Sequence, residues 1–178
     1  MATLSIRFTG GHYHATPWGK AQNEGAVEWP PSPWRILRGL IATGYAKLPE
    51  WQGGIMPDTA KTLVEKLASV LPSYRLPPAT GTHTRHYMPT KGSTTLVLDA
   101  RAVPGINHEP LLVRWNVALT PEEEKLLAAL AACLGYLGRA ESWCEAEIVP
   151  DTSISNDWCV SERNGPVQIA PGWEQVSL

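Results

Sequence analysis

The chain has 178 residues, a formal net charge of −2, 43% apolar residues and 18% charged residues. This length and balance fit one globular domain with its own core and exclude a disordered protein. No apolar run approaches the ~20 residues that span a bilayer, and the N-terminus lacks the continuous apolar stretch of a signal peptide. We therefore expect a cytoplasmic protein that has no membrane partner.

The charge is unevenly distributed along the chain. Residues 1–115 carry 12 Lys and Arg against 7 Asp and Glu, a balance of +5, whereas residues 116–178 carry 3 against 10, a balance of −7. A local basic surface can therefore form within an acidic protein. The three cysteines are odd in number and have no CxxC spacing, which favours free thiols in a reducing cytoplasm over a disulfide framework or a zinc cage.

The first part of the chain predicts a strand followed by two helices. Residues 2–9 alternate apolar and polar side chains, as does a strand with one buried face. After a loop over 10–33, Ser32 as N-cap and Pro33 in the first turn predict a helix. Its apolar stripe would contain Trp34, Leu37, Ile41 and Tyr45. A second helix is predicted over 58–71.

The middle of the chain predicts a pair of strands. Residues 72–93 show no clear element but contain many Pro, Thr, His and Arg residues. Residues 94–103 and 111–119 have the composition and alternation of strands, and Pro104-Gly105 indicates a turn after the first of them. We therefore predict that these two strands pair with each other.

A third helix and a last strand complete the pattern. Thr120 and Glu123 match a capping box and mark the start of the helix. The helix is expected to end at the glycine-bearing segment 135–139, and a strand is predicted over 143–149. Residues 151–178 are predicted to be a polar tail, or the start of a linker to a missing second domain.

The order of these elements predicts the fold. Strand, helix, extra helix, strand, strand, helix and strand together correspond to an α+β protein with a ferredoxin-like βαββαβ fold. In this fold two helices cover one face of a four-stranded antiparallel sheet. Residues 1–150 would form the domain, with an extra helix after the first helix and an irregular C-terminal tail.

Four stretches resemble a known CRISPR family. They are GHYHATPWG at 11–19, NEGAVEWPPSPWRILRGL at 23–40, LPPATGTHTRHYMP at 76–89 and LGYLGRAESW at 134–143. In this order they are similar to the N-terminal part of the type I-U (I-G) fusion of a Cas-five-like subunit with a Cas-six-like repeat endoribonuclease. The WPPSPWR and HTRHYMP blocks are the distinctive ones.

The resemblance implies a RAMP-superfamily domain that handles RNA. Because 178 residues cannot contain two RAMP domains, the chain looks like the Cas-five-like half alone. That half, by analogy, holds the 5′ handle of CRISPR RNA and nucleates a type I interference (Cascade) complex. The implied partners are CRISPR RNA and the other subunits of the complex, with no cofactor. Whether this half is an enzyme stays open, because the catalytic half of the fusion would be absent.

Basic and aromatic residues are interleaved in two segments, 12–20 and 75–114, and basic residues also lie on the first helix. A site for single-stranded RNA needs cations for phosphates and planar groups for unpaired bases. The candidate RNA-binding residues are His12, Tyr13, Trp18, Lys20, Arg35, Arg38, Arg75, Arg85, His86, Tyr87 and Lys91. Loops are favoured over the open sheet, because Glu145 and Glu147 on the last strand would repel phosphate.

Structural roles compete with these functional ones. Trp29, Trp34 and Trp115 are expected in the core, since Trp is largely buried on average. Arg35 and Arg38 could merely cover the flank of their helix. Arg139 and Glu141 could form an ion pair that only stabilises the structure and does not contact RNA.

Three other functions are left open. Metal-independent cleavage of CRISPR precursor RNA needs a base, an acid and a cation, and His14 and His83 are the candidate catalytic residues if their loops meet. A zinc site could be built from the four histidines at 12, 14, 83 and 86, although no nearby Cys or acidic residue reinforces it. The chain could also be a scaffold that contacts other subunits through its acidic C-terminal part.

Overall fold

A computed structural model describes residues 1–51, 53–105, 109–150 and 158–159, without the side chains of Gln22 and Thr90. In chain order the helices and strands are β1 (Ala2–Arg7), α1 (Pro33–Lys47), α2 (Asp58–Ser69), β2 (Ser73–Arg75), β3 (Ala79–Thr90), β4 (Ser93–Pro104), β5 (Leu111–Trp115), α3 (Pro121–Cys133) and β6 (Glu145–Val149). The chain is an α+β protein, as the sequence predicts. Within the described ranges, no helix has the length and apolar character needed to cross a membrane.

Four strands form an antiparallel sheet in the order β2-β5-β1-β6. Leu4 of β1 lies opposite Val113 of β5 and Ile148 of β6. These side chains share one face of the sheet and pack with apolar residues of the three helices in the core. The other face carries Ser5 and Arg7 of β1, and no described helix covers it.

The predicted starts of α1 and α3 are confirmed, and each has its own side-chain capping interaction. The hydroxyl oxygen of Ser32 accepts a hydrogen bond from the amide of Arg35 at 3.3 Å, and Pro33 is the first residue of α1. At α3, Thr120 and Glu123 form both halves of a capping box. Such caps satisfy amides that have no partner inside the helix, so they fix where the helix begins.

The predicted pairing of 94–103 with 111–119 is wrong. β4 instead pairs along its whole length with β3, which lies in the segment where the sequence predicted no element. β5 pairs with β1 and β2. The residues of β3 are polar on both faces, so the segment lacks the apolar alternation by which a half-buried strand is detected.

The predicted apolar stripe of α1 is shifted by about one residue relative to the buried one. Trp34 is 61% exposed, so its expected place in the core is wrong, and Tyr45 is also exposed. Trp115 is fully buried, as predicted, and Trp29 packs partly buried against the core. The residues of α1 that are buried are Ile36, Leu37, Leu40, Thr43 and Gly44.

A short segment near the C-terminus extends the sheet at the β2 edge. The amide of Tyr74 donates to the carbonyl of Cys159 at 2.9 Å, and the amide of Cys159 donates back at 2.7 Å. The guanidinium of Arg114 lies 3.9 Å from the centre of the Trp158 ring. The rest of the predicted tail over 151–178 lies outside the described residues, and the ferredoxin-like arrangement stays a prediction.

Gly44 allows α1 to approach the buried ring of Trp51. A Cβ atom at position 44 would lie 2.6 Å from the ring, closer than side-chain carbons ever approach. Trp51 is buried, and its ring also meets Tyr45 edge to face at 5.0 Å between centroids. The absence of a side chain at Gly44 is therefore a packing requirement of the core.

We predict that Gly44→Ala lowers the free energy of unfolding by about 2 kcal/mol, because the new methyl group overpacks the Trp51 site. Urea unfolding at equilibrium measures this loss. Gly81→Ala is the matched control, since a Cβ at position 81 meets no atom within 4 Å. Equal effects of the two substitutions would contradict the packing role of Gly44.

Candidate nucleic-acid interface

β3 and β4 form a two-stranded ribbon, residues 79–104, that projects from the sheet. Twelve residue pairs join the two strands, and at ~3.4 Å per residue each strand is about 40 Å long. Residues 79–89 and 91–96 are exposed on both faces of the ribbon. An isolated two-stranded ribbon has only marginal stability in water. Such a structure is suited to contact a partner along its length.

The ribbon carries more positive than negative charge. Arg85, Lys91 and Arg101 stand against a single carboxylate, Asp99. Because side chains alternate between faces, Arg85 and Tyr87 share one face, and Tyr87 is 68% exposed. A guanidinium and an aromatic ring therefore lie side by side on a solvent-facing surface.

The N-terminal loop is hydrogen-bonded to the base of the ribbon at Ala102, which we call the ribbon root. The amide of Tyr13 donates to the carbonyl of Ala102 at 2.7 Å, and the amide of Ala102 donates back at 2.8 Å. The Tyr13 ring packs against Phe8 and Trp29 in the core. The root is therefore fixed to the domain, while the turn at the far end, which contains Lys91, is remote from it.

A groove of about 310 Å³ lies between α1 and residues 135–138 of the loop that follows α3, which runs from 134 to 144. Its aromatic and basic lining consists of Trp18, Trp34, Arg35, Arg38, Lys47 and Tyr136. Trp18 is 90% exposed, and the guanidinium of Arg38 lies 5.8 Å from the centre of the Trp34 ring. Exposed rings of this size with adjacent cations are characteristic of surfaces that stack unpaired bases.

Glycine in the loop allows it to pack closely against the N-terminal loop. Gly138 has a φ of +86°, and a Cβ there would lie 2.6 Å from the carbonyl oxygen of His14. The amide of Arg139 donates to that same oxygen at 2.9 Å. The loop therefore forms one wall of the groove and also contacts the segment that holds the ribbon.

A cluster of ionisable side chains joins the ribbon to this loop. The ring of His14 lies between Glu141, 2.7 Å from Nδ1, and Asp99, 3.8 Å from Nε2. Asp99 also contacts Arg139 and His86, each at 3.5 Å. His14 and His86 thus approach the same carboxylate on β4.

Glu28 is the centre of a buried polar network beneath the groove. Its carboxylate accepts hydrogen bonds from Nε and Nη2 of Arg35 at 2.7 and 2.8 Å, from the hydroxyl of Tyr13 at 2.9 Å and from the amide of Ser32 at 2.9 Å. Burial raises the pKa of this carboxyl, but the hydrogen bonds and the charge of Arg35 outweigh burial and hold the pKa below its ordinary value. Glu28 is therefore ionised at neutral pH.

The predicted RNA-binding residues fall into three groups. Those at exposed positions on the ribbon or the groove are Trp18, Arg38, Arg85, His86, Tyr87 and Lys91. Those engaged inside the protein are Tyr13, which is fully buried, and Arg35, which is bound to Glu28. Those placed elsewhere are His12, bonded to the Gly10 carbonyl, Lys20, paired with Glu24, and Arg75 on β2.

The predicted catalytic pair does not come together. His14 is only 3% exposed. His83 lies on the face of the ribbon opposite to His86 and Asp99, because three residues separate it from His86 on one strand. The four imidazoles of the proposed zinc site therefore do not converge. Among the described residues, no three His, Cys, Asp or Glu side chains could hold a metal ion together.

The cysteines in the described part of the chain are free thiols. Burial raises the pKa of Cys144 to about 12. At neutral pH this thiol stays protonated, and it donates to the Leu134 carbonyl at 3.8 Å. Cys144 is therefore a packing residue and a poor nucleophile.

Sequence reasoning missed several residues of this region. Trp34 was assigned to the core, and Tyr136, Asp99 and Glu28 were not singled out. The signal nearest to Tyr136 was the glycine-bearing segment 135–139. Arg139 and Glu141, considered as an ion pair with each other, bind Asp99 and His14 instead.

No family model matches the chain, and no curated protein matches it. The resemblance to the CRISPR fusion family therefore stays a prediction from the sequence, and the function has to be inferred from the residues and their arrangement.

We predict that Glu28→Gln lowers the free energy of unfolding by about 3 kcal/mol at neutral pH, because it leaves the half-buried Arg35 without its anion. The folded-state pKa of Glu28 is depressed, so its contribution is present above the unfolded pKa and is lost as pH falls through the folded value. Thermal unfolding of both proteins from neutral to acidic pH measures this change. A difference in stability that stays constant down to about pH 2 would contradict the role given to the ionised carboxylate.

Proposed function

We propose that this chain binds single-stranded RNA through the ribbon and the groove. In cells the ligand would be the 5′ handle of CRISPR RNA within a type I interference complex. The observation that carries the proposal is the presence of two exposed cation–aromatic surfaces that are both joined to the N-terminal loop. Arg85 and Tyr87 lie on the ribbon, and Arg38 and Trp34 lie at the groove.

The proposal includes a ferredoxin-like assignment of the fold. If the ribbon is treated as an insertion between β2 and β5, the remaining elements follow the βαββαβ order, with α2 as the extra helix. β1 and β2 are then parallel with β5 between them, and β5 and β6 are parallel with β1 between them. Two interleaved split βαβ units of this kind support the assignment.

The chemistry of the two surfaces favours an unpaired strand over a duplex. Bases that are not paired offer their faces to rings such as Trp18, Trp34 and Tyr87, whereas paired bases are already stacked. Arg38, Arg85 and Lys91 supply positive charge for the phosphates between those bases. The groove, at about 310 Å³, has room for a small number of nucleotides at most.

The geometry favours binding without cleavage. A general base must come within hydrogen-bonding distance of the 2′-hydroxyl, and the buried His14 is held by Glu141 instead. His83 is exposed but stands on the opposite face of the ribbon from the His14 cluster. The proposal therefore assigns any processing of the RNA to another protein.

We predict that Arg38→Ala and Arg85→Ala each weaken binding of repeat-derived RNA and lower the salt slope of log K by about one unit. Trp34→Ala should weaken binding about 10-fold, because one stacking platform is lost. Fluorescence anisotropy at several salt concentrations in EDTA measures both effects, and a denaturing gel should show intact RNA.

Lys61→Ala is the matched control for lost positive charge. Lys61 is exposed on α2, pairs with Asp58, and belongs neither to the ribbon nor to the lining of the groove. Its removal should leave RNA affinity within about twofold of the unmodified protein. If Arg38→Ala, Arg85→Ala and Trp34→Ala all behave like this control, the proposed interface is wrong. RNA products ending in a 2′,3′-cyclic phosphate would show instead that the chain is a nuclease.

A further inference from the structure

His14 is a buried residue at which three segments of the chain meet. Its amide donates to the hydroxyl oxygen of Ser142 at 2.8 Å, and its carbonyl accepts from the amide of Arg139 at 2.9 Å. The next residue back along the chain, Tyr13, holds the ribbon root through Ala102. The backbone around His14 is thus fixed, so its ring has a defined position between the ribbon and the loop after α3.

Both ring nitrogens of His14 face carboxylates. Nδ1 lies 2.7 Å from Oε1 of Glu141, a short hydrogen-bond distance. Nε2 lies 3.8 Å from Oδ1 of Asp99, a separation typical of charge attraction and too long for a direct hydrogen bond. Glu141 belongs to the loop after α3 and Asp99 to the ribbon, so the ring stands between the two structures.

Other ionisable groups surround this contact. Arg139 and His86 both approach Asp99 at 3.5 Å, from the loop and from β3 respectively. Arg101 lies two residues along β4 on the same face as Asp99. On the Glu141 side of the ring, the neighbouring ionisable residue is His12. It lies next to Gly10, and a Cβ atom added to Gly10 would lie 3.5 Å from the carbonyl oxygen of Glu141.

Only the protonated ring satisfies both neighbours. A neutral imidazole has one N–H and one lone pair, so it can donate to one carboxylate while its lone pair faces the other. An imidazolium presents N–H groups on both sides. It also balances the charge of Asp99, Glu141 and Arg139, which otherwise carry one excess negative charge around the buried ring.

The carboxyl group of Glu141 is ionised at neutral pH. Burial raises the pKa of its carboxyl, but hydrogen bonds from its own amide and from His14, with the charges of His14 and Arg139, hold the pKa below its ordinary value. The carboxylate is therefore available as a partner throughout the range in which imidazoles ordinarily titrate.

We propose that His14 is a positioning residue whose protonated ring bridges Asp99 on the ribbon to Glu141 on the loop, so that the ribbon is held against the groove. When the proton is released to solvent, the bond to Glu141 is kept and the attraction to Asp99 is lost. The ribbon root then opens more often. The positioning itself needs no ligand, but its effect on RNA affinity rests on the proposed function.

Hydrogen exchange of the free protein tests this positioning. Amides of residues 99–102 should be more protected at about pH 5.5 than at about pH 8, by about fivefold or more after correction for intrinsic rates. His14→Gln, which keeps one donor but cannot be protonated, should abolish this difference. His83→Gln is the control, because it removes an imidazole from the opposite face of the same strand.

Asp99→Asn covers the case in which His14→Gln fails to fold. It keeps the His14–Glu141 bond and removes the charge that the imidazolium attracts, but it also removes the contacts of Asp99 with Arg139 and His86. Its matched control is therefore His86→Gln, which leaves the His14–Asp99 pair in place. Asp99→Asn should abolish the pH difference, and His86→Gln should retain it. A pH difference that persists in folded His14→Gln or Asp99→Asn, is lost in His86→Gln, or is lacking in the unmodified protein would overturn the proposal. Because no RNA is present, failure here is separate from failure of RNA binding.

If both proposals hold, RNA affinity should fall with rising pH in the unmodified protein and in His83→Gln, and by less in His14→Gln, which keeps the exposed imidazole of His86 on the ribbon. Phosphodiesters do not titrate in this range, so a pH effect has to come from the protein. Affinity that is measurable yet independent of pH would leave RNA binding intact and contradict the role of His14 in it.

Discussion

The buried ion pair between Glu28 and Arg35 is the interaction on which both candidate surfaces depend. Besides Arg35, the Glu28 carboxylate binds the hydroxyl of Tyr13, and the amide of Glu28 donates to the Ala15 carbonyl. Arg35 in turn donates to the carbonyl of Thr16. The N-terminal loop is thereby tied to the start of α1 along successive residues. That loop then holds the ribbon root through Tyr13, contacts the loop after α3 through His14 and places Trp18 at the groove.

Much of the fold could be predicted from the sequence because its signals are local. Ser32 with Pro33, and Thr120 with Glu123, specify helix starts within four residues of chain. The ribbon could not be predicted in this way, because both of its faces meet solvent and neither shows an apolar pattern. Trp34 is exposed because α1 directs Gly44 toward the buried Trp51. That orientation of the helix is set by packing, so the sequence pattern of α1 alone could not predict it.

The site was only partly predictable for the same reason. Arg38, Arg85 and Tyr87 could be predicted because they lie near other basic and aromatic residues in the sequence. All three are exposed in the structure. The contacts that decide the roles of the other residues join distant parts of the chain. His14 meets Glu141 across 127 positions, and Tyr13 meets Glu28 across 15. The spacing of residues along the chain could not show that His14 and Tyr13 are buried. The exposed residues of the ribbon, in contrast, are basic and aromatic, as the composition of that segment indicated.

Photo-crosslinking tests the location of RNA binding most directly. The chain would be crosslinked to repeat-derived RNA that carries 4-thiouridine, and the modified residues would be mapped by mass spectrometry. The account predicts crosslinks on the ribbon near Tyr87 and at the groove near Trp34 and Tyr136. Crosslinks confined to the helix-free face of the sheet, around Arg75 and Arg114, would contradict it.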